Sequence, residues 1–190
     1  SNDTARVNKV FNISILNHLF IMFVVAVLAE TVGLWFLNHQ LIIPAERLHA
    51  ANMMYQAALV IGLIDILKVP FNAMIVAHER MSFYAWLGLA ETAFKLSAVL
   101  ILMQIEQYDK LISYSWLLLC VSVFVFSLYF SFTRRTFYVE TRFNFQKDLN
   151  KTKEMASFSG WMLLGQAGYV GSTQGLNMVT NLFFGVTVNA

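Results

Sequence analysis

A chain of 190 residues with 58% hydrophobic side chains, 13% charged ones and a formal net charge of +2 is not an ordinary soluble domain, where about a quarter of positions are charged. A mean hydropathy of +0.60 means more apolar surface than a soluble core of this size hides, so lipid is the implied solvent. The single cysteine, Cys120, lies in an apolar run and excludes both an intrachain disulfide and a cysteine metal cluster.

Aromatics make up 15% of the chain, with 17 Phe, a composition suited to lipid-facing walls and interfacial belts. The chain opens Ser1-Asn2-Asp3-Thr4, closes on an apolar stretch and shows no signal peptide; it reads as an internal piece of a longer protein. A spanning helix needs about 20 mostly apolar residues. The first predicted span runs from Val10 to Leu37, with its apolar centre at Leu19 to Leu28 and its far end at Trp35 and Asn38-His39-Gln40. The second starts at Pro44-Ala45-Glu46 and covers 46–77, with a proline suited to the helix start. Pro70 lies inside it and removes a backbone hydrogen bond, so a kink is expected there. The third covers 81–103 and ends at the polar loop Gln104 to Asp109; the fourth, the most purely apolar, covers 111–132.

Composition shifts at Arg134. Up to Glu154 the chain carries Arg134, Arg135, Arg142, Lys147, Lys151 and Lys153 against Glu140, Asp148 and Glu154. This stretch reads as a solvated linker, although Phe143, Phe145 and Leu149 offer it a lipid-touching side. A fifth span is predicted from Met155 to Phe184. The expected architecture is therefore an all-α polytopic membrane helix bundle: four spans over 1–134, a cationic linker over 135–154 and a fifth span within 155–190.

Lysine and arginine placement sets the orientation. With these spans, Arg6, Lys9, Arg80 and the six cations of the linker share one side, leaving Arg47 and Lys110 on the other. The nine-cation side is expected to be cytoplasmic.

Ionisable residues within a span are costly and usually face a cavity or a partner. Glu91 and Lys95 fall near the middle of the third span at i,i+4, acid first, the better order for a helical ion pair. Two readings stand: mutual neutralisation that makes insertion tolerable, or a polar wall of a translocation cavity, with Tyr84, Gly88 and Thr92 toward the same face. Asp65 and Lys68 stand at i,i+3 just before Pro70; Lys68 is expected to snorkel to the interface, and Asp65 lies deeper. Glu30 reads as interfacial and His18 as a satisfied packing residue. In the fifth span, at 100° per residue, Gln166, Thr173, Asn177 and Asn181 share one face while Gly168, Gly171 and Gly175 share the opposite one. The amide and hydroxyl face suits a water-filled lumen and the glycine face a close helix neighbour; two ordinary helix contacts are the plainer alternative.

Enzymatic signatures are missing. His78-Glu79 lacks a second histidine four residues on, no phosphate-binding loop occurs, and no Gly-x-Ser-x-Gly elbow is present. A nucleic-acid face is absent as well. Neither an enzyme nor a bound cofactor is expected, and a coupling Na+ or H+ stays open.

Three stretches carry a family resemblance. The first is Glu30-Thr31-Val32-Gly33-Leu34-Trp35-Phe36-Leu37-Asn38 leading into Ile43-Pro44-Ala45-Glu46-Arg47. The second is Val69-Pro70-Phe71-Asn72-Ala73-Met74-Ile75-Val76-Ala77-His78-Glu79-Arg80-Met81. The third is Phe158-Ser159-Gly160-Trp161 with Gln174-Gly175-Leu176-Asn177 and Asn181-Leu182-Phe183-Phe184-Gly185. Together they resemble bacterial polysaccharide (O-antigen type) flippases of the multidrug/oligosaccharidyl-lipid/polysaccharide exporter superfamily, over nearly the whole chain. The resemblance implies a two-lobed carrier of six-helix halves. This chain would supply helices three to six of the first lobe, the interlobe linker and helix seven. It also implies an inner-membrane location, alternating access and a lipid-linked oligosaccharide as partner, with a cationic lumen suited to its diphosphate. On that view Lys95 attracts the diphosphate, Glu91 holds Lys95, and Gln166 and Asn177 bond sugar hydroxyls. The alternatives are a cation-coupled drug exporter of the same superfamily, which would need an unpaired lumen acid, and a non-transporting membrane scaffold.

Overall fold

The structure, a computed structural model, describes residues 2–39, 43–104 and 109–144, together with Lys153, Glu154, Ser157, Trp161, Gly165, Gly168 and Ser172. The chain divides into two compact units, Ser1–Gln146 and Lys147–Ala190. In the second unit the seven described residues are all helical and exposed.

The first unit is an all-α bundle of four long apolar helices. The first is continuous from α1 (Asn2–Leu28) through a π-helical turn (Ala29–Gly33) into α2 (Leu34–His39). The others are α3 (Ala45–Ala77), α4 (Met81–Gln104) and α5 (Lys110–Thr136). All four are long and apolar enough to cross a membrane, with peak mean hydropathies of 1.5 to 2.3. These candidate spans support a multi-pass membrane protein.

The helix boundaries follow from local chemistry. Pro44, with φ −54° and ψ 138°, turns an extended residue into the start of α3, and Glu46 sits in its first turn, where a negative charge meets the positive end of the helix dipole. Asp109 caps α5 by accepting from the backbone N–H groups of Leu111 (2.9 Å) and Ile112 (3.3 Å). Arg134 and Arg135 stand in its last turn, the favourable end for cations. α3 ends in a Schellman turn: Glu79 N–H donates to Val76 O at 2.9 Å and Arg80 N–H to Ile75 O at 3.0 Å. Glu79 takes the left-handed φ of 54° that this turn demands. Pro70 does not interrupt α3, which runs 33 residues, about 50 Å against about 30 Å of hydrocarbon.

α3 packs against α1, α4 and α5, and α4 packs against α5. The buried core comprises Phe11, Ile15, Phe71, Met74, Ile75, Leu87, Val125, Tyr129 and Phe137. Phe71 is its hub, edge-on to Phe11 at 5.6 Å and to Phe126 at 5.7 Å between centroids. Elsewhere large apolar side chains such as Phe20, Phe23, Trp86, Leu96 and Trp116 point outward, the surface a lipid solvent accommodates.

Two expectations need correction. The first helix starts eight residues before Val10, at Asn2. In sequence Arg6 and Lys9 read as preceding the first span, yet Asn8 and Asn12 use their amides to grip the chain beyond α5. Asn8 Nδ2 donates to the carbonyls of Glu140 (2.8 Å) and Arg142 (2.7 Å). Asn12 Nδ2 donates to Arg142 O (3.0 Å), and Asn12 Oδ1 accepts from Asn144 N–H (2.9 Å).

Over 134–144 the linker is partly packed, with Tyr138, Val139, Arg142, Phe143 and Asn144 still exposed. Arg134 and Arg135 belong to α5, and 137–144 is a packed turn with Phe137 and Thr141 buried. Arg134 donates to Thr141 O at 2.6 Å and lies over the Phe143 ring. His78 stacks on Phe137 at 4.1 Å and meets Glu140 Oε2 at 2.5 Å.

The π-turn was not foreseen. Tyr55 Oη donates to Ala29 O at 2.7 Å, and a Cβ on Gly33 would collide with that hydroxyl. Gly33→Ala gains up to about 1 kcal/mol of helix propensity but displaces Tyr55 and breaks its hydrogen bond, worth about 1 kcal/mol plus the lost packing. We expect Gly33→Ala to lower thermal stability in detergent when Tyr55 is present and to raise it in a Tyr55→Leu background. An equal effect in both backgrounds contradicts the contact.

Candidate functional site

α3 and α4 are antiparallel neighbours joined by the 78–80 turn, so residues before that turn on α3 face residues after it on α4. This brings the two ion pairs together. Lys68 Nζ lies 2.7 Å from Asp65 Oδ1 and 3.7 Å from Glu91 Oε2. Lys95 Nζ lies 2.6 Å from Glu91 Oε1. The four charges form one row, Asp65–Lys68–Glu91–Lys95, alternating in sign and summing to zero.

Expected to reach for the interface, Lys68 instead bridges two helices, with its side chain 20% exposed. Its ammonium also lies 5.7 Å from the Tyr129 ring centroid on α5, within cation–π range. A neighbouring carboxylate on each side is a stronger attraction than a distant headgroup region when the dielectric is low.

Lys68 and Glu91 are the inner members, and Asp65 and Lys95, whose side chains are 51% and 55% exposed, are the outer ones. The row lines a cavity of about 140 Å³ together with Ile61, Leu118, Ser122 and Val125. Glu91 is the eleventh residue of the 24-residue α4, about 15 Å along its axis and so near the middle of that candidate span. Alternation of sign makes such a row tolerable at that depth. Lys95 spends one of three ammonium donors on Glu91, and half of its side chain is open to an anionic oxygen.

Sequence reasoning missed the α5 contribution. Ser115, Ser122 and Tyr129 recur every seven residues, which places them on one helix face; Ser115 and Tyr129 are buried and Ser122 lines the cavity. That spacing was the available signal. Tyr84 and Thr92 are exposed, and Thr92 Oγ1 donates to Gly88 O at 2.9 Å within its own helix. Gln166, Thr173, Asn177 and Asn181 lie outside the described residues. Pro70 is buried inside α3, beside the hub Phe71.

The remaining polar candidates have local partners. Glu30 accepts from Gln56 Nε2 at 3.3 Å, and Asn38 and Asn52 exchange amide hydrogen bonds at 3.2 and 3.0 Å. His18 Nδ1 lies 2.7 Å from Ser14 O. Among the described residues no three His, Cys, Asp or Glu side chains gather as a metal site.

Comparison with protein-family models, with curated proteins and with solved structures yielded no match in any of the three.

Proposed function

We propose that this chain forms part of an inner-membrane flippase for lipid-linked oligosaccharides, the role its sequence resemblance implies. The observation that supports the reading is Lys95: a half-exposed ammonium in the middle third of the candidate span α4, held by Glu91 at 2.6 Å, beside a cavity between helices. A diphosphate crossing a low-dielectric core needs a positioned cation, and a cation at that depth needs a neighbouring acid to be tolerable. In this reading the helix ends at 78–80 and 137–144 face the cytoplasm and no covalent chemistry is performed.

A cation-coupled exporter is the second reading. It requires an acid free to load a cation. Glu91 fits poorly, because Lys68 and Lys95 both engage it. Asp65, half exposed with one lysine, is the acid that reading would use. A non-transporting scaffold has less support, since such a protein has no need of four charges lining a cavity at mid-depth.

The test is flipping of a fluorescent lipid-diphosphate oligosaccharide in proteoliposomes carrying the full-length protein. Lys95→Ala is expected to slow flipping about tenfold, the equivalent of about 1.4 kcal/mol, while Lys95→Arg retains most of it. Unchanged flipping in Lys95→Ala removes the role assigned to Lys95. Loss of a Na+ or H+ dependence in Asp65→Asn, with Lys95→Ala silent, favours the exporter.

A further inference from the structure

The larger described cavity lies at the opposite end of the bundle from the 78–80 turn. It is an open groove of about 840 Å³ between the start of α3, the end of α4 and the start of α5. Its wall is apolar, with Val99 and Leu102 from α4, and its rim is polar, with Arg47, Asp109, Lys110 and Tyr114. Arg47 and Asp109 form an ion pair across the rim.

The identity of the two cations is the informative point. With these four spans, the end of the bundle that carries Arg47 and Lys110 holds no other lysine or arginine. Topology selects against cations on the sparse side, yet both of those that occur there converge on one cavity. Asp109 neutralises only part of that charge. One of its oxygens accepts from the N–H groups of Leu111 and Ile112 and the other from Arg47, so the three charged side chains that line the cavity sum to a single positive charge, with Glu46 outside that lining in the first turn of α3. Arg47, with 62% of its side chain exposed, retains donors beyond the one spent on Asp109. Tyr114 adds an amphipathic ring of the kind that sits at headgroup level.

An apolar wall below a cationic rim, at the end of membrane-spanning helices, matches an amphiphile with an anionic head and an acyl tail. We propose that this cavity is a binding site for an anionic phospholipid, its phosphate on Arg47 and Lys110 and an acyl chain along Val99 and Leu102. Basic pockets between spanning helices bind anionic headgroups by this logic on the cytoplasmic side; here the same pairing of cations and apolar wall stands on the cation-poor side. The inference rests on the membrane placement of the four helices and is independent of the flippase reading.

The experiment is native mass spectrometry of the full-length protein released from nanodiscs of equal phosphatidylglycerol and phosphatidylcholine. Wild type is expected to retain phosphatidylglycerol preferentially. Arg47→Ala/Lys110→Ala is expected to lose that preference by about fivefold per cation removed. Asp109→Asn keeps the helix cap, because Asn caps as well as Asp, and removes the competing charge, so it is expected to retain more phosphatidylglycerol than wild type. A merely structural role for Asp109 does not produce that gain. Arg80→Ala, at the other end, is the control and should change nothing.

Equal retention of both lipids by wild type, or an unchanged preference in the double variant, overturns the proposal. So does displacement of the lipid by excess glycerol phosphate, which would make the rim a site for a free phosphate group. Flipping activity is not read in this assay, so its failure and that of the proposed transport role are separable.

Discussion

Lys68→Met is expected to destabilise the bundle by about 3 kcal/mol, the low end of the cost of breaking a buried ion pair. Lys68 stands between two carboxylates, 2.7 Å from Asp65 and 3.7 Å from Glu91. Without it Glu91 keeps Lys95 but Asp65 keeps no cation among the described residues. Asp65 is half exposed and not enclosed by protein, which places the cost at the low end. The sign of a second change separates charge from packing. Asp65→Asn in the Lys68→Met background removes the orphaned carboxylate and is expected to recover at least half of the loss, whereas a packing defect at position 68 persists. Denaturant unfolding in detergent micelles, followed by tryptophan fluorescence, measures both. A Lys68→Met variant within about 0.5 kcal/mol of wild type, the usual range for an uncoupled surface substitution, contradicts the bridging role.

The second large effect is expected at Asn12, on a different element. Its side chain is buried, with residue exposure of 1%, and its amide donates to Asn8 O (2.9 Å) and Arg142 O (3.0 Å) while accepting from Asn144 N–H (2.9 Å). Asn12→Leu removes two bonds to the 137–144 turn and leaves its backbone groups without those partners. Each net hydrogen bond is worth about 1 kcal/mol, and Arg142 O keeps its bond from Asn8 Nδ2, so a loss of about 2 kcal/mol is expected. It should appear locally first, as faster limited proteolysis between Phe137 and Asn144, with α3 to α5 still protected. Asn17→Leu on the same helix provides the comparison. Equal proteolysis of wild type and Asn12→Leu contradicts the clamp.

Much of the fold was legible because lipid is an exacting solvent. Apolar runs bounded by Pro44, by the 78–80 turn and by Asp109 place the second, third and fourth helices within a few residues. The ends were less legible, because polarity near Asn8 and Arg134 is compatible with either a free terminus or a contact made across the whole unit, and only packing distinguishes the two. The π-turn had no local signature beyond Gly33, since its reason is Tyr55 on another helix. At the candidate site the Glu91–Lys95 pair was readable from i,i+4 spacing within one helix. The joining of Lys68 to Glu91 depends on how α3 and α4 face each other, which no single-helix periodicity contains. Ser122 and Tyr129 were obscured by the apolar density of the fourth span.

The Asn8 and Asn12 clamp joins residues about 130 positions apart, with sequence separations of 130 to 134. At a synthesis rate of about 5–20 residues per second, roughly 7–25 seconds pass between the emergence of Asn12 and that of its partners. During that interval the amide of Asn12 has only Asn8 O of its described partners, although Phe11 can pack on Phe71 once α3 is made. Completion of this clamp is thus timed by the ribosome: a chain arrested before Arg142 lacks the bonds that tie α1 to the turn beyond α5.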